Sequence, residues 1–299
     1  MQHAEPQPGA RGIPDCLGPL AARTPPRFPV PPGAWDTHFH LFDPARAPYA
    51  PERKYSPPPA RLPDYAALMQ DLGLERAMLV HANLQGDDNR PLVEILAASE
   101  GRLAGVVRLP DEADAAELAA MHAAGVRGVR FAFNPQHGGV FDPILFERAE
   151  AICADRGWFI ELHFAPRDLP ALAPRLARAR APIVIDHMGR VDVAEGTEGA
   201  AFRLLAELAG HDHVWIKLSG ADRLSREGPP YRDVVPIARA LIAAAPRRML
   251  WGTDWPHTGL FDTMPDDGAL LNLLADFAPD AAVRDEILVA NPLRLIGEG

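Results

Sequence analysis

Two histidines separated by one residue, in Asp36-Thr37-His38-Phe39-His40, carry the clearest chemical signal in the chain. Side chains alternate along a strand, so a spacing of two puts both imidazoles on one face. Two imidazoles on one face are half of a metal site, and His163, His187 and Asp254 supply the further nitrogen and oxygen donors that a zinc-type ion prefers. These five residues therefore read as ligands of one divalent ion, zinc by ligand type. No lysine or glutamate stands at the end of the fourth strand expected below to bridge a second ion.

The elements that must position these residues are legible as short apolar runs alternating with Ala/Leu-rich amphipathic stretches, the pattern of buried parallel strands each followed by a covering helix. Eight strands are expected: Trp35–His40, Arg76–His81, Leu103–Val107, Val126–Phe131, Phe159–His163, Ile183–His187, Val214–Leu218 and Met249–Gly252. Helices are expected over Ala113–Ala124, Asp142–Arg156, Asp168–Arg180, Gly199–Ala209 and Tyr231–Ala245. Eight βα repeats close most economically into a (β/α)8 TIM barrel, spanning residues 33–299 behind a Pro-rich arm of residues 1–32. Periodicity alone also allows a doubly wound open sheet, but no Gly-rich fingerprint follows the first strand. In a barrel, polar residues at the strand ends, His81 among them, converge on one mouth. The long proline-bearing loop from Leu41 to Pro63 would overhang that mouth as a lid.

Composition excludes several classes. With 47% hydrophobic and 23% charged residues the chain can bury a full core. A net charge of −10, without basic runs, argues against a nucleic-acid surface. No stretch is apolar enough to span a membrane, and no signal-peptide core precedes the barrel. Cys16 and Cys153 suggest neither a disulfide framework nor a thiolate metal site, so a cytoplasmic protein is expected, as a monomer or homo-oligomer.

Taken together, Asp36-Thr-His38-Phe-His40-Leu-Phe-Asp43, the loop Tyr49 to Tyr55, Arg127-Gly-Val-Arg130-Phe131, Ile185-Asp-His187-Met-Gly-Arg190, Trp251-Gly-Thr-Asp254-Trp-Pro-His257 and Asn291-Pro292 resemble the amidohydrolase superfamily, and within it the 2-pyrone-4,6-dicarboxylate lactonase group. The resemblance runs from Pro31 to Gly297. It implies a distorted barrel in which Asp254 activates water, while His38, His40 and His187 polarise a lactone carbonyl without a metal. It further implies substrate recognition by Tyr55, Arg130 and Arg223, arginine being suited to bidentate pairing with a carboxylate. His81, His163 and His257 join them as candidate substrate contacts. Two departures stand out: Asn134-Pro135-Gln136-His137 replaces a second basic cluster, and His163 replaces a tyrosine.

The expected activity is hydrolysis of a small anionic lactone, of pyrone, muconolactone or sulfomuconolactone type, in aromatic-compound degradation. A second enzymatic reading is a metal-dependent decarboxylase or hydratase of an unsaturated carboxylic acid on the same barrel. A non-enzymatic anion- or carbohydrate-binding barrel would leave Asp254 and the histidines at the mouth without a reason to coexist.

Overall fold

The computed structural model describes residues 12–133 and 140–298. The replaced basic cluster at Asn134-Pro135-Gln136-His137 and the first eleven residues of the arm lie outside these. Among the described residues, eight parallel strands run in the order β1 to β8 in one sheet: β1 Trp35–Phe39, β2 Arg76–Val80, β3 Leu103–Val107, β4 Val126–Ala132, β5 Phe159–His163, β6 Ile183–Ile185, β7 Val214–Lys217 and β8 Met249–Leu250. The ends meet through backbone bonds: the Thr37 N–H donates to the Trp251 carbonyl, Asp254 to His38 and His40 to Trp255. These bonds close the (β/α)8 barrel.

The covering helices are α1 Leu62–Leu72, α2 Arg90–Ala97, α3 Ala115–Ala124, α4 Pro143–Arg156, α5 Leu169–Leu176, α6 Ala200–Ala209, the single turn α7 Ala221–Leu224, α8 Val235–Ala244 and α9 Asp267–Phe277. The α4 helix starts where Asp142 caps the amides of Ile144 and Leu145, with Pro143 at the first position, and stops at Gly157 in the left-handed region. The helix expected over Asp168–Arg180 contracts to Leu169–Leu176, entered through a 3₁₀ turn at Pro166–Asp168. Likewise β6 stops at Ile185, short of the expected His187, because the backbone turns left-handed at His187 (φ 51).

Alternation along the strands sorts side chains into two cores. Ile160, Leu162, Ile183, Ile185, Val214 and Ile216 point outward into the layer beneath the helices. Trp35, Met78, Val80, Phe159, Val184, Trp215 and Leu250 point inward and fill the barrel floor. Two residues further along the same inward columns stand Glu161 after Phe159, Asp186 after Val184 and Lys217 after Trp215. All three are buried. The floor is thus apolar, with a charged layer above it. In β1 a register irregularity between Asp36 and Phe39 shifts the phase. Such a bulge re-aims the side chains beyond it, so both Trp35 and His38 face inward.

The arm lies along this chain's own barrel. The Thr24 N–H and hydroxyl bond the Asp266 carboxylate that caps α9, and the Arg27 N–H donates to Asn272 Oδ1 at 2.6 Å. No helix among the described residues is long and apolar enough to cross a membrane.

Candidate active site

A cavity of about 650 Å³ opens at the C-terminal ends of the strands, lined by His40, His81, Arg130, His163, His187, Arg223 and Asp254 from the barrel and by Ala50 to Tyr55 from the long loop. That size suits a small-molecule ligand. The loop expected as a lid therefore forms one wall, although its last two residues, Leu62 and Pro63, already belong to α1.

At its floor, Asp254 Oδ1 faces three imidazoles, at 3.6 Å from His38 Nε2, 3.7 Å from His40 Nε2 and 3.9 Å from His187 Nε2. His38 Nε2 and His40 Nε2 are 3.3 Å apart. Each ring is held from behind through Nδ1. His40 Nδ1 lies 2.7 Å from the Val80 carbonyl and His187 Nδ1 2.8 Å from Ser219 Oγ, while His38 Nδ1 lies 3.0 Å from Lys217 Nζ and 3.3 Å from Asp186 Oδ1. Lys217 in turn pairs with Glu161, whose Oε1 lies 3.3 Å from Arg130 Nε; Arg130 also bonds Asp186 at 3.1 Å. The charged layer is a foundation for His38.

Local backbone shapes this centre. Both His187 and Asp254 (φ 67) hold left-handed conformations that non-glycine residues rarely adopt, a strain that clusters at functional sites. A Cβ on Gly252 would fall 2.8 Å from His38 Cβ, so only glycine lets β8 pass β1 this closely.

Burial sets the protonation states. It lowers the His187 pKa to about 4 and the His81 pKa to about 3, with nearby Arg130 adding to the second. His38 is lowered well below the ordinary value by burial and by Lys217, and His40 is lowered by burial. All four rings are neutral near pH 7. Burial works to raise the Asp254 pKa, but the Arg223 guanidinium and the surrounding imidazoles outweigh it and hold the carboxyl well below the usual range. Asp254 is ionised.

The donor set fits a metal. A carbonyl oxygen can only accept, so His40 carries its proton on Nδ1 and turns a bare Nε2 lone pair toward the Asp254 carboxylate. Two acceptors facing each other at 3.7 Å repel unless a cation lies between them or a neighbouring N–H intervenes. Separations of 3.3–3.9 Å are close to those of donors around a tetrahedral ion with ligands at about 2.0–2.1 Å. Backed Nδ1 atoms are what metal-bound imidazoles ordinarily show.

The sequence-derived residues are not all brought together. His163 lies beside the centre, its ring 5.1 Å edge-to-face from that of His187. Among the described residues the groups with donor atoms within 4.8 Å of one another are His38, His40, Asp254 and His38, Asp186, His187. His163 falls in neither group; it ends β5 and lines the cavity. His257 is fully buried and bonds Asp267 at 2.8 Å, a carboxylate that raises its pKa against the effect of burial. It does not line the cavity, because it follows the cap of the β8 loop into the body of the protein. Arg130 reaches the cavity wall but spends its charge on Asp186 and Glu161. Sequence reasoning passed over Lys217, Glu161 and Asp186 as site residues. Their position in the inward columns Phe159-Glu161-His163 and Trp215-Lys217-Ser219 was the available signal.

The amidohydrolase family profile matches residues 35–297, leaving the arm outside. The chain is 52% identical over 290 residues to a 4-sulfomuconolactone hydrolase of Rhizobium radiobacter, covering 96% of this chain and 97% of that one. It is 42% identical to a 2-pyrone-4,6-dicarboxylate hydrolase of Comamonas testosteroni, covering 90% and 92%. A solved apo structure from Agrobacterium tumefaciens, 30% identical, superposes with a TM-score of 0.83 over 91% of this chain and 98% of that chain.

Proposed function

This chain belongs to the amidohydrolase family, and from that premise we propose that it hydrolyses a small anionic lactone of the sulfomuconolactone or pyrone-dicarboxylate type. The observation that carries the reading is the Asp254 carboxylate, ionised and flanked by three neutral imidazoles, on the floor of a cavity whose walls bring Arg53, Lys54, Arg108 and Arg223 to the mouth. The cations draw an anionic substrate inward even though the whole chain is acidic.

In this reading Asp254 takes a proton from water as the water oxygen bonds to the lactone carbonyl carbon. An imidazole N–H at the floor, or a divalent ion in its place, would stabilise the charge that develops on the carbonyl oxygen. The ring C–O bond then breaks, and the proton on Asp254 passes to the departing ring oxygen, leaving an open-chain carboxylic acid that releases water's second proton to solvent as it ionises. Three of the five Arg223 N–H donors are used, by Asp254 and the Thr258 carbonyl, so two remain for an anionic substituent. Tyr55, whose hydroxyl bonds Thr258 Oγ1 at 3.0 Å, borders the same corner.

One zinc-type divalent ion belongs to the proposal, held by His38, His40, His187 and Asp254. Bound there, it would polarise the carbonyl and acidify water. The test is a panel of lactones, sulfonated, carboxylated and neutral, offered to protein purified without chelator, with ring opening followed by absorbance and by product mass. Opening of the anionic lactones at rates well above the neutral ones supports the reading. Decarboxylation or hydration of unsaturated acids in place of ring opening would replace it.

A further inference from the structure

Before it reaches α9 the arm bonds the two loops that carry the Tyr55 corner. Asp15 forms a parallel bridge with Ser56. The Ser56 N–H donates to the Pro14 carbonyl at 2.9 Å and the Cys16 N–H to the Ser56 carbonyl at 3.0 Å. One residue on, the Leu17 N–H donates to the Leu260 carbonyl at 2.8 Å. Gly18 lies so close to the loop that a Cβ there would stand 2.9 Å from Pro58 Cγ. Residues 14–17 thus tie the β1–α1 loop to the loop after β8.

What lies between those ties is the substrate-facing corner. Tyr55, adjacent to Ser56, bonds Thr258, and a Cβ on Gly259 would lie 3.2 Å from its ring. The Thr258 carbonyl accepts from Arg223 at 3.3 Å, and Arg223 Nε holds Asp254 Oδ2 at 2.6 Å. An unbroken series of bonds runs from the arm through Tyr55 and Thr258 to the catalytic carboxylate.

We propose that residues 14–18 are a strap that positions Tyr55 against Thr258 and so pre-forms the substrate corner. The segment between β1 and α1 contains no helix or longer strand among its residues 40–61, and ordering such a chain costs conformational entropy. When the strap meets that cost in the free protein, substrate binding need not. Downstream anchors at Thr24 and Arg27 hold the arm on α9 independently of the mouth. The strap is a positioning element and touches no reacting atom.

Cys16→Pro removes the N–H that bonds Ser56 and leaves the cavity lining and the α9 anchors in place. Cys16→Ala, which keeps the N–H, is the control. Hydrogen exchange, which needs no substrate, is expected to quicken in amides 49–60 of Cys16→Pro while strands β1–β8 stay protected, and Cys16→Ala is expected to match the parent. Only the kinetic arm rests on the lactonase reading: there KM rises about 3- to 10-fold with kcat nearly unchanged, as the loss of about one hydrogen bond implies. Combined with Tyr55→Phe the two effects are less than additive, since both act through one corner. If Cys16→Pro folds poorly, deletion of residues 1–17, which keeps the Thr24 and Arg27 anchors, is expected to give the same exchange pattern. Unchanged exchange in 49–60, loss of protection across the strands, or full additivity with Tyr55→Phe overturns the strap. An absence of lactone turnover in the parent protein would sink the lactonase reading and leave the exchange result to decide this one.

Discussion

Arg223 Nε donates to Asp254 Oδ2 at 2.6 Å while Oδ1 of the same carboxylate faces His38, His40 and His187. The two oxygens thus have different tasks. One is anchored to a buried guanidinium, which keeps the carboxyl ionised in a site whose burial would otherwise protonate it. The other is turned to the place where water and substrate meet.

Arg223→Gln is expected to move the acid limb of the kcat/KM profile upward by about 1–3 pH units, the usual effect of an arginine on a neighbouring carboxylate. The sign follows from the depressed pKa of Asp254 in the fold. Its contribution to stability is complete above the unfolded value of about 3.9 and is lost as pH falls through the lower folded value. Urea midpoints measured across pH 3–7 are expected to fall in the acid range for the parent and to show less of that dependence in the variant. An acid limb that stays in place would separate Arg223 from the ionisation of Asp254.

Arg130→Met is expected to act first on stability. The substitution leaves Lys217 as the one cation between Asp186 and Glu161 in the barrel interior, and breaking a buried pair in this way costs about 3–5 kcal/mol. Chemical denaturation measures it. A variant of parental stability with only a raised KM would instead return Arg130 to the substrate role that the resemblance implied.

Removal of a bound ion tests the floor of the cavity. Protein purified without chelator is expected to contain about one zinc-type ion per chain, and His40→Ala to lose it. Elemental analysis gives the count. Protein free of metal, with activity indifferent to chelator and added zinc, would leave the histidines as carbonyl polarisers.

The barrel was legible because its strands are apolar runs bounded by polar ends, and all eight fall where the alternation puts them. Their last residues were less so: His187 and Asp254 leave the strand path through left-handed backbone, which Asp and His adopt more readily than most residues but too rarely for sequence to announce. His38, His40, His187 and Asp254 were found because imidazoles and a carboxylate at strand ends converge in a barrel. Lys217, Glu161 and Asp186 were legible as polar residues at strand ends but not as a network, because sequence does not show that with Arg130 they form two cations and two carboxylates beneath His38. His257 shows the opposite failure. It sits in a motif rich in site residues, yet its partner is Asp267, ten residues on, in the first turn of α9. The arm's tie to the mouth was invisible, since its bonds are made by backbone groups whose partners sequence does not specify.

The account stands on Asp254 as the proton acceptor in lactone hydrolysis, and Asp254→Asn tests it most directly. Asparagine tolerates the left-handed backbone at this position, so the fold is expected to survive, with an unfolding midpoint lowered by the loss of the carboxylate that pairs with the buried Arg223. The amide cannot accept the proton, and turnover of a sulfonated or carboxylated lactone is expected to fall about 100-fold or more. Near-parental kcat in a well-folded Asp254→Asn variant would contradict the account.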